Sequence, residues 1–188
     1  MPRFIILLSL IPIAIALVTR WWFGLKVLAA EGKRTCRCDL ETWQPDPTDT
    51  ASVQRSDASA SNFGCQLRNK ALATWKSEDP KAAAAREGAH RFGLAVPPLS
   101  GIVAIFALII GKVPFSGAIA IFILATAIAA IFNLLSLPHE LRAIARAAAK
   151  TKGNKCFHNS YDEEAVIRCA VAHAWELAVP PVLRLLQK

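Results

Sequence analysis

The 188-residue chain contains no P-loop, no dinucleotide fingerprint and no G-x-S-x-G elbow. The usual sequence routes to phosphate cradling, nicotinamide chemistry and α/β-hydrolase catalysis are therefore missing. It has no zinc-finger, helix-turn-helix or RNA-binding motif, and no basic run is interleaved with aromatics. Its net charge of +8 is thus read away from nucleic acid. Five cysteines (Cys36, Cys38, Cys65, Cys156 and Cys169) are an odd number at irregular spacing. That argues against a disulfide framework and for reduced thiols facing the cytoplasm. Cys36 and Cys38 are separated by one residue, which is not the spacing of a zinc knuckle. The Cys156–His158 stretch has no evident orienting acid for a thiol nucleophile.

Hydrophobic residues are abundant, at 54%, and the mean hydropathy is +0.35. Both values are high for a water-soluble domain. Three apolar runs account for them. The first is "FIILLSLIPIAIALV", Phe4 to Val18, extended by a flank carrying Trp21 and Trp22, residues that suit an interfacial belt. No small-x-small cleavage site follows it directly, so a retained anchor is preferred to a signal peptide. The second and third runs, Phe92 to Gly111 and Pro114 to Leu137, are separated only by Lys112 and Val113. They predict a tight transmembrane hairpin, with Gly101, Gly117, Ala120, Ala127 and Ala130 as small packing surfaces.

Basic residues set the expected orientation. Arg20, Lys26, Lys33, Arg34 and Arg37 follow the first run. Lys76, Lys81, Arg86 and Arg91 precede the second, and Arg142, Arg146, Lys150, Lys152 and Lys155 follow the third. The hairpin tip has Lys112 alone. The positive-inside rule then places the N-terminus and the hairpin tip outside and the central loop and C-terminus in the cytoplasm. The expected fold is an all-α integral membrane protein with three transmembrane helices and cytoplasmic amphipathic helices. Its expected segments are an anchor over 1–28, a polar linker with short helices over 29–91, the hairpin over 92–137, and a basic interfacial helix plus an amphipathic helix over 138–188. The stretch Trp43 to Asn62 reads as flexible linker. Asp79 and Pro80 predict the start of a surface helix. Ser160 and Glu163 have capping-box spacing ahead of a helix with Arg168, His173 and Glu176 on one side and Ile167, Val171, Ala174, Trp175 and Ala178 on the other. Pro180 and Pro181 should kink or end it.

The junction "IFNLLSLPHELRAIARAAAK", Ile131 to Lys150, joins hydrocarbon to a basic helix. Pro138 should bend the backbone, after which a new helix runs along the membrane. His139 and Glu140 are then solvated neighbours, with Glu140 contributing up to about 1 kcal/mol through the helix dipole. Arg142, Arg146, Lys150 and Lys152 would contact phospholipid.

The same stretch resembles a segment of the bacterial membrane-bound neutral zinc metallopeptidases, in which a transmembrane helix ends in a pattern like F-Q-L-V-T-L-P-V-E-F-x-A-S-R-R-A. Phe132, Leu134, Leu137, Pro138, Glu140, Ala143, Arg146 and Ala147 match it directly, while Asn133, Ser136 and Leu141 match conservatively. The resemblance runs from about Leu94 onward. It implies that Glu140 stands at a candidate third zinc-ligand position. The family's H-E-x-x-H helix, in which two histidines hold zinc and the glutamate polarises water, is missing here. The nearest string, "REGAH", offers Glu87 and His90 but has Arg86 where the first ligand belongs. His139 falls on an apolar position of the pattern.

The expected function is accordingly non-catalytic: a membrane-anchored scaffold or partner protein, a degenerate relative of a membrane zinc peptidase, with no cofactor. Its partners are the lipid bilayer and a membrane protein or a second copy of itself, not nucleic acid. The alternative is a divergent zinc metallopeptidase using Glu87 as the catalytic group and Glu140, His90 and His139 toward the metal.

Overall fold

The computed structural model describes residues 2–39, 43, 56–111, 113–180 and 183. Its elements are α1 (Pro2–Thr19), a π-helical segment (Arg20–Leu25), α2 (Lys26–Glu31), strands β1 (Thr35–Arg37) and β2 (Asp57–Ser59), α3 (Ala60–Glu78), α4 (Pro80–Ile109), α5 (Phe115–Gly153) and α6 (Ser160–Ala178). The chain is mostly helical, and three helical stretches are long and apolar enough to cross a membrane: Ile6–Glu31, Pro80–Ile109 and Phe115–Gly153.

Several helix boundaries follow local chemistry. Ser59 caps α3, its Oγ accepting from Asn62 N at 3.3 Å. Asp79 Oδ1 accepts from Ala82 N at 3.1 Å, as expected of an N-cap ahead of Pro80. The α6 start differs from expectation. Asn159 Oδ1 accepts from Tyr161 N at 3.1 Å, so the cap lies one residue before Ser160. Glu163 is then one position too far along the helix to close the box, and its Oε1 is buried without a partner. The helix ends at Ala178, two residues before Pro180.

Two further expectations are corrected. The surface helix predicted at Pro80 and the second apolar run are one 30-residue helix, with Pro97 and Pro98 inside it. The break predicted at Pro138 is not a helix end: α5, 39 residues in all, runs through it. An interior proline removes one backbone donor and crowds the preceding turn. Here Ser136 Oγ and Arg86 Nη1 both donate to Asn133 O, at 3.1 and 2.9 Å, which reinforces bonding in the turn before the proline. The pure all-helical expectation also misses a small antiparallel sheet, in which Thr35, Cys36 and Arg37 pair with Ser59, Ala58 and Asp57. Of the expected linker, residues 44–55 lie outside the described residues, as does Lys112. Asp57–Ser59 is strand, and Trp43 is buried.

The chain divides into two units. The first takes in Met1–Thr19, Ala84–Leu137 and Leu177–Lys188. Inside it, Ile13 and Ala16 of α1 pack with Ala127 and Ala130 of α5 and with Val179 and Leu183. The alanines permit close approach without an obstructing side chain. Phe92 meets Phe132 edge-on at 5.5 Å, and a Cβ on Gly101 would lie 3.3 Å from the Phe122 ring. Gly111 turns the chain after α4 with φ of +74°, a conformation that favours glycine.

The second unit takes in Arg20–Ala83 and Pro138–Glu176. Its core holds an aromatic triangle of Trp43, Phe63 and Phe157, with centroids 5.3 to 5.5 Å apart and edge-to-face planes. Such pairs contribute about 0.5–1.5 kcal/mol each beyond their buried area. Helices α3 and α6 approach closely at Gly64, where a Cβ would stand 2.7 Å from Cys169 Cβ and 2.8 Å from Ala170 N. The buried side of α6 is Ala165, Val166, Cys169, Ala170, Ala172 and Ala174. Of the face expected to be apolar, Ile167 and Val171 are half-buried, and Trp175 stacks on Phe23 at 5.2 Å.

Candidate functional site

The strongest polar feature of the second unit joins α3 to α5. Arg68 Nε lies 2.6 Å from Glu140 Oε1, with side-chain exposures of 14% and 0%. Glu140 is therefore not the solvated neighbour that a surface helix implies. It faces the interior because α5 runs on past Pro138 in regular register, with Leu137, Ala143 and Ile144 buried beside it in sequence. Burying both charges costs several kcal/mol per ion, and close geometry recovers that cost. The arrangement locks α3 against α5 and directs a carboxylate oxygen to a guanidinium. His139, one residue earlier, is exposed.

The first unit has a polar cluster of its own. Arg86 is 7% exposed, although the charge pattern treats it as a flanking surface residue. Its Nη1 donates to Asn133 O at 2.9 Å and to Ser136 Oγ at 2.8 Å. Asn133 Nδ2 donates to Ala129 O at 3.0 Å, while Asn133 Oδ1 is buried without a hydrogen-bond partner. Gly93 makes room for this amide, since a Cβ there would stand 2.3 Å from Asn133 Nδ2. Polar groups inside apolar helices are costly unless bonded, so this cluster ties α4 to α5. The signal in the sequence is Asn133 within an apolar run.

The other predicted site residues are placed as follows. Glu87 is exposed and pairs with Arg91 at 2.5 Å, one helical turn along. His90 is half-buried in the same unit. Arg142, Arg146, Lys150 and Lys152 are exposed, and Arg146 Nη1 pairs with Glu78 Oε2 at 2.6 Å. Among the described residues, no group of three or more His, Cys, Asp or Glu side chains could hold a metal ion.

Sequence reasoning missed one constellation altogether, because its members are 112 residues apart. Ser61 Oγ lies 3.0 Å from His173 Nε2, and His173 Nδ1 lies 3.6 Å from Glu176 Oε2. The residue types are those of a hydrolytic triad, but the surroundings are not. Ser61 O also sits 3.1 Å from Nε2, which favours a proton on that nitrogen rather than the free lone pair of a base. The backbone donors of the first turn are occupied as well. Ala60 N bonds Arg34 O, Ser61 N bonds Gly32 O, and Asn62 N bonds Ser59 Oγ. They offer no oxyanion site, and the group acts as a tie between α6 and the start of α3.

The cysteines complete the second unit. Cys36, Cys38, Cys156 and Cys169 are buried thiols and Cys65 is an exposed one, none of them in a disulfide. Burial pushes the Cys36 thiol up to about 11 and the Cys38 thiol up to about 12, the latter helped by neighbouring Cys156. Burial likewise raises Cys169 to about 11 and raises Cys156. Protonated thiols of this kind are poor nucleophiles and poor metal ligands.

The chain matches no protein-family model, no curated protein and no solved structure.

Proposed function

We propose that this chain is a membrane-anchored, non-catalytic scaffold or partner protein, a degenerate relative of the membrane zinc peptidases, seated in a bacterial inner membrane with its C-terminus in the cytoplasm. The observation that carries the reading is the Arg68–Glu140 pair. The carboxylate at the position suggestive of a zinc ligand is committed to an internal guanidinium and serves the packing of two helices. Glu87, at the general-base position of the peptidase pattern, is tied to Arg91 on the surface. What remains are three helices of membrane-spanning length and a second unit whose ion pairs tie its own elements together. That construction presents a surface rather than a reaction centre. Its ligands are lipid and another membrane protein or a second copy of the chain.

Metal analysis of the purified full-length protein, with and without Glu140→Ala, tests this. The expected result is well under one zinc per chain and no chelator-sensitive proteolysis. A stoichiometric zinc lost in Glu87→Ala, His90→Ala or Glu140→Ala would establish the divergent metallopeptidase instead.

A further inference from the structure

A cleft of about 220 Å³ lies within the second unit, between α3 and the later turns of α5. Leu67, Ala71, Trp75, Ala143 and Ala147 give it apolar walls, and its charged lining is Lys70, Glu78, Arg146 and Lys150. Three cations against one carboxylate leave a net charge of +2 (3 − 1). The cations are not equivalent. Lys70 Nζ already donates to Trp43 O and sits 4.5 Å over the Trp43 ring. Arg146 is shared with Glu78. Lys150 is exposed, one helical turn beyond Arg146 on the same wall. Thr74 and Thr151 spend their hydroxyl protons on the backbone carbonyls of Lys70 and Ala147. The donors left for a ligand are therefore cationic and lie beside apolar walls.

We propose that this cleft binds the phosphate of an anionic phospholipid headgroup. Lys150 and Arg146 would hold the phosphate, and the alanine and tryptophan walls would cover the glycerol end of the lipid. A free phosphate leaves those walls uncovered. The volume is below the ~300–1,000 Å³ of sites that enclose a drug-sized molecule, so the cleft takes one end of its ligand. The wall from Ala143 to Thr151 follows the third apolar run by a few residues in sequence, and anionic leaflets attract basic groups placed just beyond such runs. Of the four basic residues that the sequence nominates for lipid contact, the cleft selects Arg146 and Lys150 and leaves out Arg142 and Lys152. Glu78 is a built-in competitor for Arg146. The proposal rests on the membrane-anchored reading above.

The test is retention of phosphatidylglycerol against phosphatidylcholine by the full-length protein in detergent, read by native mass spectrometry. The expected result is selective retention of phosphatidylglycerol. It should fall about fivefold in Lys150→Ala, rise in Glu78→Ala, stay unchanged in Arg142→Ala and vanish in Ala147→Trp, which fills the cleft. Lys150 and Glu78 are surface positions, so their variants keep the proposal falsifiable if Ala147→Trp fails to fold. Equal retention of the two lipids, or selectivity indifferent to both Lys150→Ala and Glu78→Ala, overturns it. Displacement of the lipid by equimolar glycerol phosphate shows a phosphate site without lipid recognition, and preference for an acidic peptide shows a protein-docking groove; either overturns it too. Retention of the chain in carbonate-washed membranes separates the two readings. Loss from the membrane breaks the anchor reading, whereas retention without lipid selectivity breaks this inference alone.

Discussion

The two units answer the same hydrophobic effect in opposite ways. In the unit built from Met1–Thr19, Ala84–Leu137 and Leu177–Lys188, large apolar side chains face outward: Ile105, Phe106, Ile109 and Phe115 are each at least 60% exposed. The other unit encloses Trp43, Phe63 and Phe157 and places Arg34, Arg37, Arg146 and Arg168 in ion pairs around the core. An apolar surface of that extent is not tolerated in water, and it is the ordinary surface of a helix in hydrocarbon. The first unit holds its long apolar helices with small-residue contacts and a few buried hydrogen bonds, whereas the second is built around an aromatic core with ion pairs about it.

The sharpest way to break the comparison is topological and all-or-none. If the second unit stands in the cytoplasm, single-cysteine variants at Asn62 and Asn154, in a cysteine-free background, label from the cytoplasmic side, and one at Lys112 labels from outside. Labelling of Asn62 from outside would refute both the orientation and the reduced-thiol argument.

Next in size is the buried pair. Glu140→Ala leaves the Arg68 guanidinium without this partner inside the second unit, and a loss of about 3–5 kcal/mol is expected. Urea-induced exposure of the buried thiols measures it. Glu140→Leu combined with Arg68→Met should recover most of the loss, because an apolar pair of similar volume carries no desolvation cost. Glu87→Ala, in the exposed pair of the first unit, should change stability by less than about 1 kcal/mol. A Glu140→Ala loss no greater than that of Glu87→Ala would restore the solvated-interface reading of Glu140.

The smallest effect concerns the thiols. In the folded protein a maleimide should modify Cys65 and spare Cys36, Cys38, Cys156 and Cys169, while denaturant exposes all of them. The buried thiols titrate higher folded than unfolded, where the pKa is near 9.0. The unfolded state therefore releases protons first. The stabilisation is complete below pH 9 and declines from there toward pH 11–12, the range to which Cys36, Cys169 and Cys38 are raised. A second unit whose urea midpoint is flat between pH 8 and 10.5 would show that these thiols are not buried in solution.

Much of the fold was legible in the chain. The three apolar runs declare themselves by length alone, because a bilayer-spanning helix needs about twenty uncharged residues and little else. Asp79 as a cap follows from local chemistry that any five-residue window contains. The α3 helix was foreshadowed only as one of the short helices expected over 29–91, and its true length was not. The continuity of α5 through Pro138 was not legible, since a proline's local preference is to break a helix. Ser136 and Arg86, the latter 47 residues away from Asn133, reinforce the turn it disturbs.

The candidate sites show the same division more sharply. The residue types at Glu140, Arg146 and Lys150 and their helical spacing are properties of the chain, and they suffice to mark a basic segment beyond an apolar one. Whether Glu140 meets water, a metal or Arg68 depends on which side of α5 faces α3, and 72 residues separate the two partners. Likewise, no window of sequence reveals that Ser61 meets His173 or that Gly64 admits α6. Local propensity and hydropathy act over a few residues and decide where helices form and which solvent they prefer. Burial of a charge, the elevation of a thiol pKa and the shape of a cleft arise only when distant segments exclude water from one another, so tertiary structure alone decided them.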